Sequence, residues 1–262
     1  MKLINKLLLL GIISIFFACS DDNDDPVVEV SSEFEENLSL DEWEYNDYSQ
    51  GEYGNPEGWE TSNPGTTFLG VVNAYEEMED VVSGSAAKLE TKEIAITGLA
   101  SATIYTGQFD LNLSDPAKSA QLGVPYTKRP TSMSFNYKYT PGDVYKQYTG
   151  AVGTVIEDAV DSCLVYMYLQ KREGDQILRV GTAAMQSSET VSDWTSRKLD
   201  VTYGEIANPE VGFKLREEET GWAAAETTPT HVIIVFASSS AGDFFRGANG
   251  STLFVDNISI EY

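Results

Sequence analysis

Met133-Ser134-Phe135-Asn136-Tyr137-Lys138-Tyr139 puts an apolar or aromatic side chain at every odd position and a polar one at every even position. Successive strand residues point to opposite faces, so this alternation marks a strand with one face on a core and one towards water. Outward from it the same period recurs. Over 161–170, Cys163, Val165, Met167 and Leu169 oppose Leu164, Tyr166 and Tyr168. His231–Ala237 (HVIIVFA) is apolar on both faces, as a central strand covered on both sides must be. Over 251–262, Phe254, Asp256, Ile258 and Ile260 are expected on one face, with Leu253, Val255, Asn257 and Ser259 on the other. Weaker strands are expected over 86–96, 103–113, 178–184 and 194–201. Gly, Pro, Asn and Asp punctuate these runs, and helical periodicity is nearly absent. The expected fold is therefore all-β, a β-sandwich of two antiparallel sheets with the jelly roll as first choice. No internal repeat or composition shift divides 33–262, which reads as one domain.

The chain has 262 residues, 42% hydrophobic and 11% aromatic, enough for a sizeable core. Its net charge of −24 describes a surface. That field disfavours nucleic acid and anionic lipid headgroups as partners and leaves uncharged ligands and cations open. Residues 1–18 read as a removable leader, with Lys2 and Lys6 ahead of an apolar stretch too short to span a bilayer as a helix. Ala18 directly before Cys19 resembles the bacterial lipobox, which implies lipidation at Cys19. Ser20-Asp21-Asp22-Asn23-Asp24-Asp25-Pro26 has no apolar content and repels itself, so 19–32 reads as an acidic tether behind the lipid. The run resembles the export signal of surface lipoproteins of Gram-negative bacteria. The expected address is the outer membrane, facing the medium.

Several chemistries are excluded. His231 is the sole histidine, placed at a strand start with no G-x-S-x-G elbow in the chain. Cys163 is the sole cysteine left beside Cys19 and reads as a small buried hydrophobe, so no disulfide is expected. One imidazole and one thiol do not make a zinc site, and neither a phosphate loop nor a dinucleotide fingerprint is present. No catalytic or metal residues are therefore assigned and no cofactor is expected. A structural calcium ion stays open, because oxygen ligands are abundant, although there is no Asp-rich twelve-residue loop. The E-x-D-x-x-E strand pattern of jelly-roll glycosidases does not occur, and Glu42 and Glu44 near the tether read as solvated.

Trp59-Glu60-Thr61-Ser62-Asn63-Pro64-Gly65 sets a large aromatic beside hydrogen-bonding groups. That combination suits a sugar, whose C–H face packs on a ring while polar side chains fix its hydroxyls; it equally suits a tryptophan plugging the core. Arg129, in an acidic chain, reads as either internally paired or ligand-bound. Tyr137 and Tyr139 read as core. The segment 241–250 carries Asp243, Phe244, Phe245 and Arg246 among glycines, an unusual composition for a mere connection. The expectation is that Trp59, Asn63, Arg129, Asp243 and Arg246 converge at one pocket mouth, with Phe244 or Phe245 as a wall.

Trp59 through Gly65, Gly84-Ser85-Ala86-Ala87-Lys88-Leu89-Glu90-Thr91, Tyr105-Thr106-Gly107-Gln108-Phe109, Gly123 through Pro130 with Tyr137 through Gly142, and Ser238 through Asp243 with Gly250 through Asp256 together resemble the putative carbohydrate metabolism domain family. These blocks span nearly all of 40–262. The resemblance implies secreted or lipidated proteins of gut-type bacteria with a β-jelly-roll domain and a pocket placed like the sugar sites of jelly-roll glycosidases. The reading is a surface lipoprotein that binds carbohydrate, with a glycoside-active enzyme of unrecognised carboxylate pair or a surface adhesion subunit as alternatives.

Overall fold

A computed structural model describes residues 33–95, 98–112, 118–207, 209–210 and 213–262. The leader, Cys19 and the tether lie outside the described residues. Two antiparallel sheets form a jelly-roll β-sandwich. The small sheet runs Val191–Asp200, Ser132–Thr140, Thr252–Glu261, Ala86–Glu90, Ala74–Glu77. The large sheet runs Thr202–Tyr203, Gln176–Ser187, Cys163–Glu173, His231–Ala237, Thr103–Tyr105, Glu60–Thr61. Along the chain the long strands pass back and forth between the sheets.

The odd-numbered face read from 133–139 is the core face: Met133, Phe135, Tyr137 and Tyr139 are all buried. They meet Val165, Met167, Leu169, Ile234 and Phe236 of the large sheet. The Phe135 and Phe236 rings pack edge to face, centroids 5.2 Å apart. Cys163 lies in the same layer, and burial pushes its thiol up to about 12, so it stays an inert thiol.

One face assignment changes. Leu253 and Val255 point inward, and so do Ile258 and Ile260, while Phe254 turns outward beside Trp194. The register against Ser132–Thr140 shifts between Ser134↔Ser259 and Asn136↔Asp256, and Asn257 takes a left-handed φ of 48°. This bulge inserts one residue and exchanges the faces beyond it. The expected strand over 103–113 also divides, into Thr103–Tyr105 in the large sheet and Gly107–Phe109 paired with Ala120–Leu122. Several hairpins stand outside both sheets, two of them with strands longer than three residues. One is Trp43–Tyr48 with Gly51–Pro56, and the other is Tyr145–Thr149 with Val152–Val155.

Candidate functional site

The hairpin Trp43–Tyr48/Gly51–Pro56 folds beside the edge strand Ala74–Glu77 and forms with it an open hollow of about 360 Å³. Its walls are Tyr45, Tyr48, Tyr53 and Tyr75, with Glu52, Glu76, Gly54, Val72 and Ala74 between them. Alternation places Tyr45 opposite Gly54 in the ladder. A Cβ at Gly54 would stand 2.9 Å from the Trp43 ring and 3.2 Å from the Tyr45 ring, so glycine is what lets both aromatics lie across this strand.

Buried amides fix the hairpin. The Asn37 Nδ2 donates to Glu42 O (2.8 Å) and Glu57 O (3.1 Å), holding the hairpin's two ends, and Trp43 Nε1 donates to Leu40 O. Asn63, fully buried, ties the two walls of the hollow together. Its Nδ2 donates to Gly54 O (3.2 Å) and Ala74 O (2.7 Å), while its Oδ1 accepts from the amides of Asn73 and Ala74. All the hydrogen-bonding capacity of this side chain is thus used on the backbone.

Inside the hollow, the Tyr48 and Tyr53 rings are tilted at 59°, centroids 6.3 Å apart. Tyr45 donates its hydroxyl to Glu76 Oε2, whose other oxygen accepts from Ser85 Oγ at 2.6 Å. Burial, then the hydrogen bond and charge of Glu76, then the charge of Glu52, push the Tyr45 hydroxyl up to about 12. It therefore stays protonated. Lys92 reaches the Tyr75 hydroxyl and sits 4.9 Å over its ring. The four rings with their hydroxyls, rimmed by Glu52, Glu76 and Lys92, offer stacking faces and directional hydrogen bonds to a polyhydroxylated ligand. The neighbouring hollow of about 420 Å³, lined by Glu33, Glu36, Asn37, Glu42, Glu44, Glu57 and Gly58, has no aromatic wall. Glu42 and Glu44 are exposed, as their solvated reading requires.

The residues expected at one pocket mouth are distributed differently. Trp59 is buried in the core, packed edge to face on Phe34 (5.7 Å) and tilted against Phe236 (6.3 Å), with Nε1 donating to Asn37 O. Asn63 is consumed by backbone. Arg129 donates to the carbonyls of Thr227 and Ala225 and lies 4.0 Å over the Tyr203 ring, a pin for segment 225–227. Asp243, Phe244, Phe245 and Arg246 do stay together on an exposed tip, Phe244 71% and Phe245 45% accessible. Arg246 and Gln147 join side chains there, and Gln147 Nε2 donates to Phe244 O. The tip is held from beneath by Asp161, which accepts from Ser162 N, Ser239 Oγ, Ala248 N and Ser251 Oγ. The expected convergence fails because Trp59 and Asn63 are inside the molecule while the tip projects from it.

A second polar and aromatic assembly covers the other face of the large sheet. Tyr166 and Tyr168 stack at 4.1 Å, the Arg179 guanidinium lies 3.4 Å over Tyr168, and Glu219 holds Arg179 through bonds of 2.7 and 2.5 Å. Gln170 Nε2 also donates to Glu219, and Arg216 Nη1 donates to the Tyr166 hydroxyl. Burial alone would pull Arg216 down, but Tyr166, Glu218 and Asp243 more than offset it and keep it charged. His231 lies at the margin, bonded to Thr230 Oγ1. Burial and then Arg172 push it down to about 4, so it is a neutral imidazole. Arg179 and Glu219 have no exposed side-chain surface, so this assembly is closed.

The family model of the putative carbohydrate metabolism domain matches residues 33–261, and the chain belongs to that family. Its fold is similar to the crystal structure of a putative glycoside hydrolase from Bacteroides vulgatus, at 21% identity and a TM-score of 0.66, covering 85% of this chain and 96% of that one. A putative glycoside hydrolase from Bacteroides thetaiotaomicron is similar at 21% identity and a TM-score of 0.65, covering 84% of this chain. This chain spans 66% of that one's length. Among curated proteins, none matches. The tyrosine hollow was not singled out from sequence. Its signal was there, in four tyrosines over 45–75 flanking Gly54, but in segments without apolar alternation.

Proposed function

We propose that this protein binds neutral carbohydrate in the tyrosine hollow, as a lipid-anchored protein of the outer membrane that captures glycan fragments. The observation that carries the reading is a hollow of about 360 Å³ walled by four tyrosines and open to solvent. That volume falls in the range of small-ligand sites. A sugar's C–H face stacks on Tyr48 and Tyr53, its hydroxyls donate to Glu52, and the Tyr45 hydroxyl, kept protonated, accepts from them. Acidic sugars are rejected by Glu52, Glu76 and the overall negative field. The family's ligand class and the lipobox-like Ala18-Cys19 support the same reading. The Phe244/Phe245 tip, with Asp243 and Arg246, is a second contact for longer chains.

Isothermal titration calorimetry of the protein against a panel of neutral oligosaccharides tests this. Binding weakened at least tenfold by Tyr48→Ala and Tyr53→Ala supports it, and equal binding by the variants overturns it. Glycoside cleavage is favoured by one fact, that Glu52 and Glu76 both act on Tyr45. Glu76 is, however, occupied by Tyr45 and Ser85, which favours binding. Release of reducing ends that disappears in Glu52→Gln would reverse that preference. For the anchor, Cys19→Ser moves the protein out of the membrane fraction, and unchanged partitioning would refute lipidation.

A further inference from the structure

Asp256 is fully buried on strand Thr252–Glu261. Its Oδ2 accepts from the amides of Val82 (2.7 Å) and Ser83 (3.2 Å). Its Oδ1 is equally buried and, among the described residues, has no hydrogen-bond partner. A carboxylate oxygen removed from water and left bare is costly, and the usual remedies are a donor, a proton or a cation. Besides those two amides only the backbone N–H of Asn257 acts on this carboxyl, and among the described residues no side-chain donor reaches it. The same turn is gripped from its other end by a second carboxylate, since Asp41 Oδ1 accepts from Ser85 N at 2.8 Å. The two acids feel each other: burial first, and the charge of Asp41 in addition, raise the Asp256 carboxyl above its ordinary value. Lys138, which reaches this loop, is engaged by Asp80. Asn257 adds a side-chain oxygen, Oδ1, at the 3.2 Å bond from Ser83 Oγ.

We propose that the turn 82–85 carries a calcium site, in which Asp256 Oδ1 and the Asp41 carboxylate bind one Ca²⁺ with oxygens of the turn and water completing the shell. Among the described residues no three His, Cys, Asp or Glu side chains converge. The site is therefore a two-carboxylate one, completed by neutral oxygens. Ca²⁺ accepts such irregular, oxygen-only surroundings at six to eight ligands, whereas Mg²⁺ demands a tight octahedron. Gly84 is required here: at φ 53° a Cβ would fall 1.8 Å from Asp41 Oδ1 and push that carboxylate away. The site is independent of the sugar reading.

The test uses the full-length protein in detergent, stripped with chelator, at constant ionic strength. Calorimetric titration with CaCl₂ and melting curves with Ca²⁺ or Mg²⁺ are recorded for wild type, Asp256→Asn and Asp41→Asn. The expected result is saturable Ca²⁺ binding with a rise in melting temperature that Mg²⁺ does not reproduce, lost in Asp256→Asn and weakened at least tenfold in Asp41→Asn. Absence of a saturable Ca²⁺ response in wild type, or a response retained in Asp256→Asn, overturns the site. Should Asp256→Asn not fold, the exposed Asp41→Asn decides: unchanged affinity there overturns it equally.

Discussion

Tyrosines gather in two places, and their surroundings are opposite. On the outer face of the large sheet, Tyr166 and Tyr168 are stacked on each other and under Arg179, with Glu219, Gln170 and Arg216 closing the network. In the hairpin hollow, Tyr48 and Tyr53 are tilted and Tyr45 is 53% accessible. In the first assembly the ring faces are covered by cationic or aromatic partners from the same chain. In the second, Lys92 lies over Tyr75, while Tyr45, Tyr48 and Tyr53 have no cation over their rings among the described residues. Aromatic content alone does not mark a binding site; an uncovered face beside unspent hydrogen-bonding capacity does.

The largest test of this contrast removes a charge from the closed assembly. Glu219→Ala leaves Arg179 buried without its carboxylate, and the expected loss is about 3–5 kcal/mol in chemical denaturation. A loss under about 1 kcal/mol would mean that the assembly is solvated and accessible like the hollow. Trp59→Ala is expected to cost about 3–5 kcal/mol as a core deletion, while glycan affinity of the folded protein is unchanged. A selective loss of affinity at full stability would restore Trp59 to the ligand. Tyr48→Ala reverses the pattern, with stability held within about 1 kcal/mol and affinity down at least tenfold, equivalent to about 1.4 kcal/mol. The smallest effect is one of pH at the margin of the closed face. The unfolded chain protonates His231 near its ordinary 6.5, the folded chain only near 4, so stability present above pH 6.5 is lost as pH falls towards 4. Melting curves of His231→Gln should be flatter than wild type across that window by about 1–2 kcal/mol, the imidazole being partly solvated. Parallel curves would show that it is hydrated and unperturbed.

The sandwich was legible where strands pair in simple register: the parities of 133–139 and 163–169 and the two-sided burial of 231–237 are those of the structure. Parity failed at 254–260 because a bulge at Asn257 adds a residue that no local pattern announces. The hairpin was missed because a ribbon outside the core needs no apolar face, and WEYNDY and GEYGNP show none. Trp59 and Asn63 were misplaced for one reason. A polar sequence around an aromatic suggests surface, yet Asn63 is buried with its amide fully bonded to main chain, and that pairing is made by residues 54, 73 and 74, distant in sequence. The acids at 41 and 256 carried no local motif for the same reason.

The opposite margin of the small sheet, Val191–Asp200, is ten residues long and pairs on one side only. A strand of that length offers an unfilled ladder to any identical strand, the usual route to fibrils and adventitious dimers. Asp193, Arg197, Lys198 and Asp200 are exposed along it. Docking a second copy there would strip water from these charges, a desolvation cost that disfavours edge-to-edge pairing.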